Sequence, residues 1–197
     1  MKTLCLVITA VCAFSFATFS KESLAPPKRE FVVELDPNSE VQLAAVGSVR
    51  TVESFGVADK TYAVYQADSA SALTKYLQRA GLVPKKVTEV KDMNSPERGG
   101  GKPAGDRPRM GQKTYVIERT IPGAGRFPEA KKQAISRKSN AAIAEIGESI
   151  EWVHSYLTDE GTYCIYRATD EATIRRHGAI AGAPITKVSQ AQAVSSP

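Results

Sequence analysis

Residues 152–182, WVHSYLTDEGTYCIYRATDEATIRRHGAIAG, lie over residues 51–81, TVESFGVADKTYAVYQADSASALTKYLQRAG, at an offset of 101 positions and without a gap. Val52 falls on Val153, Phe55 on Tyr156, Thr61-Tyr62 on Thr162-Tyr163, Tyr65 on Tyr166, and Ala80-Gly81 on Ala181-Gly182. Solenoid units repeat every roughly 20–50 residues. This spacing is instead that of a small domain, and it points to two copies of one fold. The copies differ where chemistry could reside: His154, Cys164 and His177 stand opposite Glu53, Ala63 and Tyr76.

The second copy is the fuller one. Residues 114–120 read as a strand, and 128–146 as a helix that starts at a proline, where the missing N–H is not needed. Residues 150–157 and 162–168 form a hairpin; Asp170 caps a helix that Gly182 stops; residues 187–191 are a terminal strand. The order β-α-β-β-α-β is the ferredoxin-like pattern. In the first copy strands are predicted at 31–35, 49–55, 61–67 and 87–90, with a helix over 69–80 capped by Asp68. Only a short helical stretch at 40–45 stands where the first helix belongs, and the opening strand aligns at offset 84. Residues 93–112, with Pro96, Gly99-Gly100-Gly101, Pro103 and Pro108, read as a flexible linker.

The fold class is therefore α+β: two tandem ferredoxin-like units at 31–92 and 113–191, a disordered lead-in at 21–30 and a tail at 192–197. A sheet covered by helices on one face leaves the other apolar. Two such sheets bury those faces against each other. The expectation is an intramolecular pseudo-dimer, monomeric overall, with a cavity between its sheets.

Lys2, the uncharged run 4–19 and the small residues Ser15 and Ala17 predict a signal peptide over residues 1–20, and a secreted or periplasmic product. The run is too short for a membrane span of roughly 20 apolar residues. Its removal takes Cys5 and Cys12, leaves Cys164 alone and excludes an internal disulfide. With 42% hydrophobic and 24% charged residues the chain is an ordinary globular one, and a net charge of +5, concentrated in the joint between copies, argues against nucleic-acid binding. Gly99-Gly100-Gly101 neither follows a strand nor opens a helix, so no phosphate loop is present. No serine sits on a strand-to-helix elbow with an Asp and a His.

Strict alternation along 152–157 sends Trp152, His154 and Tyr156 to one face of the sheet and Val153, Ser155 and Leu157 to the other. The aromatic and imidazole set is assigned to the space between the sheets, and by the repeat Thr51, Glu53 and Phe55 enter it from the opposite side. Imidazole, carboxylate and thiolate are ligands for a divalent transition metal such as nickel or zinc, and His with Glu is also an acid–base pair. The residues read equally as structural: His154 as a strand histidine bonded to Tyr or Ser, His177 as a surface residue beside Arg175-Arg176, Cys164 as a small buried hydrophobe, and Glu118 as an ion pair at a strand end.

The stretches Tyr115-Val116-Ile117-Glu118-Arg119-Thr120-Ile121-Pro122-Gly123, Trp152-Val153-His154-Ser155-Tyr156, Tyr163-Cys164-Ile165-Tyr166 and Ile174-Arg175-Arg176-His177 resemble a bacterial domain-of-unknown-function family, number 4242. Some of its relatives are described as nickel-binding. The resemblance covers 114–189 and implies a ferredoxin-like subunit that dimerises and a greater weight for metal binding. The first copy keeps only the later half of the pattern.

The leading expectation is a secreted, non-enzymatic binding protein that holds a divalent metal between the copies through His154, His177, Cys164, Glu118 and Glu53. A second is an enzyme or carrier of a small organic ligand in an aromatic inter-sheet pocket of Trp152, Tyr156, Phe55 and Tyr65, with His154 as acid or base. A third is a structural or interaction module.

Overall fold

The computed structural model describes residues 28–196. The expected signal peptide and residues 21–27 of the lead-in lie outside the described residues. The described residues form two antiparallel sheets and three α-helices. The first sheet takes β1 (Arg29–Leu35), β2 (Ala45–Val46), β3 (Val49–Gly56), β4 (Thr61–Ala67) and β5 (Lys86–Val90). The second takes β6 (Asp92–Asn94), β7 (Lys113–Thr120), β8 (Ile150–Leu157), β9 (Gly161–Ala168) and β10 (Lys187–Gln190), and β11 (Ala193–Ser195) ends the chain. The strand orders are β11-β3-β4-β1-β5, with β2 also on β3, and β10-β7-β9-β8-β6. Read from β3 to β5 and from β8 to β10, the two orders are the same.

The strands that extend this core are exchanged. β6 follows β5 by one residue yet pairs with β8 of the second sheet, and β11 follows β10 yet pairs with β3 of the first. Lys91 N–H donates to the Leu157 carbonyl at 2.8 Å, and Gln192 N–H donates to the Gly56 carbonyl at 2.8 Å. Both residue pairs are 101 positions apart, so one crossing contact is made twice. Each exchanged strand covers a sheet edge that would otherwise offer free N–H and C=O groups.

These crossings correct the linker and the tail. Residues 92–94 and 193–195 are strands, and the segment after β6 is docked. Ser136 Oγ donates to Asn94 Oδ1 (2.8 Å) and Asn140 Nδ2 donates to the Pro96 carbonyl (2.9 Å). A Cβ on Gly99 would stand 2.6 Å from the Arg137 amide nitrogen. The glycine run brings backbone against the helix there and does not serve as slack.

α1 (Ala70–Arg79) packs on the first sheet; α2 (Glu129–Ile146) and α3 (Glu171–Ala181) pack on the second. Ser69, not Asp68, caps α1, its side chain accepting from the Ala72 amide, whereas Asp170 caps α3 through Thr173. No helix forms at 40–45. No helix among the described residues is long and apolar enough to cross a membrane.

Between the sheets Val32, Phe55, Tyr62, Val64, Val116, Tyr156, Tyr163 and Ile165 form one buried core. The sheets do pack face to face, but side chains occupy the space that sequence reasoning assigned to the cavity. The layers beneath the helices are separate cores, around Phe31, Tyr65 and Leu77 in the first half and around Ile117, Trp152, Tyr166 and Ile174 in the second.

A bulge decides which residue faces which layer. Pairing of β8 with β9 shifts between Trp152 and His154, and pairing of β3 with β4 shifts at the aligned place, between Thr51 and Glu53. Val153 is the extra residue. Trp152 therefore faces the helices, whereas His154 and Tyr156 face the other sheet, which corrects the assignment of all three to one space. Tyr65 is corrected likewise: it lies beneath α1 with its ring centroid 5.7 Å from that of Tyr76. Phe55 is in the inter-sheet core.

Candidate functional site

Polar side chains with potential chemistry fall into two groups on opposite faces of the second sheet. Between the sheets, Glu53 Oε1 accepts from the Tyr156 hydroxyl at 2.7 Å and lies 2.9 Å from His154 Nε2. A carboxylate only accepts, so the ring proton of this pair sits on Nε2. The His154 and Tyr156 rings meet edge to face at 4.9 Å. Burial, then the charge of Glu53, pushes the Tyr156 phenol well above its ordinary value.

Further along the same layer, the Tyr62 hydroxyl donates to Glu118 Oε1 (2.5 Å) and the Tyr163 hydroxyl donates to Glu34 Oε1 (3.1 Å). Lys60 Nζ lies 2.5 Å from Glu34 and 3.6 Å from Glu118. Glu34 aligns with Glu118 at offset 84 and Tyr62 with Tyr163 at offset 101, so this is again one contact made twice. Each carboxylate here has a donor from the opposite sheet. Glu118 is thus bound to Tyr62 and Lys60, not to the neighbouring Arg119. The network closes on itself and locks the halves together.

The other group lines a cavity of about 280 Å³ between the second sheet and α2 and α3. Trp152, stacked on Tyr166 at 6.1 Å and 12°, forms one wall and donates its indole N–H to Ser155 Oγ at 3.0 Å. Ser139 Oγ stands 3.1 Å from the Tyr166 hydroxyl and 3.0 Å from His177 Nε2. His177 is buried, not at the surface, because it lies one turn after the core residue Ile174 on the inner face of α3. Its Nδ1 has no hydrogen-bond partner among the described residues. Burial, then the nearby positive charge of Arg119, pushes the imidazole down to about 4. Burial pushes Tyr166 upward. Both rings are neutral at pH 7. Cys164 is a buried free thiol on the same wall, 3.2 Å from Thr162 Oγ1.

The five metal donors expected from sequence do not fit one ion. His177 and Cys164 lie on the helix side; His154, Glu53 and Glu118 lie between the sheets, each already engaged there. Among the described residues no three of His, Cys, Asp and Glu gather as a metal site. The physical reason is again the pleat: Cys164 points away from its strand neighbours Tyr163 and Ile165 and from the His154 layer.

Sequence reasoning missed Arg119, Ser139 and Tyr166. Arg119 is 6% exposed, and its Nη1 donates to the carbonyls of Pro184 (2.6 Å) and Ala183 (3.2 Å) at the cavity wall. A signal existed. Tyr115, Ile117 and Arg119 share one face of β7, and a charge at the end of an apolar stripe that packs under helices is out of place.

The family model described as nickel responsive protein SCO4226-like matches residues 115–190 of this chain. No curated protein matches the chain. Among solved structures, a mutant chlorite dismutase from Candidatus Nitrospira defluvii aligns over 84% of this chain and 91% of its own, at 10% identity and a TM-score of 0.46. The chlorite dismutase of the same organism in complex with imidazole gives 10% identity over 84% of this chain and 91% of its own, with a TM-score of 0.44. A putative monooxygenase from Lactobacillus acidophilus NCFM gives 7% identity over 86% of this chain and 96% of its own, with a TM-score of 0.43.

Proposed function

We propose that this chain is a secreted, non-enzymatic binding protein built from two copies of one fold, in which the second copy holds a small molecule in its helix-side cavity. One observation carries the reading. The cavity of about 280 Å³ is lined by Trp152, Cys164, Tyr166 and His177, of which only Tyr166 keeps its residue type at the aligned position of the first half. The first half has no helix equivalent to α2, and its hollow beside α1, lined by Gln42, Val49, Lys75, Tyr76 and Arg79, has no indole, thiol or imidazole in its wall. The volume is just below the roughly 300–1,000 Å³ of sites for drug-sized ligands, which sets the occupant as small. The row Tyr166–Ser139–His177 supports binding over proton transfer: an imidazole at about 4 is a weak base at neutral pH, and no carboxylate orients it.

Trp152 is the only tryptophan in the chain, so its emission reports on this cavity alone. Titration with phenylacetate, benzoate and their carboxamides is expected to give a saturable change for at least one of them. The response is expected to vanish in Cys164→Phe, whose ring fills the space. A flat response to every probe would remove the reading.

A second reading follows from the match to a nickel-responsive family over residues 115–190. We propose His177 Nδ1 and Cys164 Sγ as its nitrogen and sulfur donors, the two metal-binding types that share the cavity. Two protein donors leave the remaining positions to other ligands. Calorimetric titration with nickel is expected to give heat that is retained in His154→Ala and lost in His177→Ala and Cys164→Ser. Loss in His154→Ala with retention in the other two contradicts this assignment.

A further inference from the structure

We infer that the occupant of the helix-side cavity is a small carboxylate with an apolar body, and that Arg119 is the residue that holds its charged end. The inference rests on the cavity being the binding site. Arg119, Lys131, Lys132 and Lys138 line the cavity, and no Asp or Glu is among the residues that do. Lys132 is engaged elsewhere, by Asp92 and Glu129. Arg119 is not: among the described residues it enters no ion pair, and the adjacent Glu118 is taken by Lys60 and Tyr62.

A guanidinium stays charged at any ordinary pH, and a buried charge without a counter-charge is costly. The carbonyls of Ala183 and Pro184 hold Nη1 in place but do not neutralise it. The Tyr166 hydroxyl and the Cys164 thiol also lie against the guanidinium, but among the described residues no carboxylate does, and the planar fork suits the two oxygens of one. A ligand placed there meets the Trp152–Tyr166 wall with its apolar part.

The first half supplies the control. Arg119 pairs with Thr162 across β7 and β9, and Leu35 pairs with Thr61 across β1 and β4. Thr61 aligns with Thr162, so Leu35 occupies the place of Arg119. Leu35 is fully buried in a continuous apolar core. At this position the fold requires only a hydrophobe, and the charge belongs to the half that has the Trp152 cavity.

The test compares phenylacetate with phenylacetamide, and benzoate with benzamide, by Trp152 emission in the wild-type chain and in Arg119→Leu. Hydrogen bonds to a charged group correspond to roughly ten- to a hundredfold in affinity. The acid is expected to bind at least about tenfold more tightly than its amide in the wild type. In Arg119→Leu that preference disappears while amide binding persists, which also shows that the variant is folded. Equal affinity in the wild type, or a preference that survives in Arg119→Leu, overturns the inference and leaves the cavity reading standing. Absence of binding by acids and amides alike overturns both.

Discussion

Replacing Glu53 by alanine is expected to lower the unfolding free energy by about 2–5 kcal/mol, because the Tyr156 hydroxyl and the His154 ring each lose their acceptor, at about 1–3 kcal/mol apiece. Glu53 is 8% exposed, and one of its oxygens serves both the Tyr156 hydroxyl and the His154 imidazole from the opposite sheet. Tyr156, itself 1% exposed, has no route to water once that acceptor is gone. Glu53→Gln keeps one acceptor and is expected to cost less. Urea denaturation of the two single variants and of Glu53→Ala with Tyr156→Phe isolates the coupling. A loss below about 1 kcal/mol for Glu53→Ala would show that the contact is not part of what joins the halves.

His177 gives the largest expected dependence on pH. Its ordinary value is 6.5, and in the folded chain it lies at about 4. Between these values the unfolded chain binds a proton that the native chain refuses, so stability falls as pH is lowered. The contribution is fully present above about 6.5 and is lost on descent through the folded value, about 3 kcal/mol in all. Gln in this place keeps an amide near Ser139 and cannot be charged. The wild-type chain is therefore expected to lose about 2–3 kcal/mol more than His177→Gln between pH 7 and pH 4.5, measured by urea unfolding at both. Equal losses would mean that the ring takes up its proton in the folded state and that the pocket around it is open to water.

The closeness of Glu53 and His154 was legible in the sequence because it depends only on alignment. Glu53 and His154 occupy aligned positions in the two sheets, and they meet in the layer between them at 2.9 Å. The position of Trp152 was not legible. Reading 152–157 as an unbroken pleat puts it with His154, and a single bulged residue, Val153, sends it to the other face. The consequence for function is direct, since the cavity lies on the Trp152 side and the inter-sheet space is packed solid. Residues 92–94 and 193–195 were unreadable as strands for another reason. Three residues carry no periodicity, and they become strands only because β8 and β3 present open edges to them.

What the sequence by itself determined is everything set by neighbours along the chain: the β-α-β-β-α-β order of the second half, the missing helix of the first, the Asp170 cap and the aligned pairs. Tertiary structure alone decided which face each side chain took, which edges the crossing strands closed, and that Arg119 was buried beside a cavity without a counter-charge. The difference is physical. Helix periodicity and capping are local, whereas a bulge, a strand exchange and an unpaired charge are defined by partners tens to more than a hundred positions away.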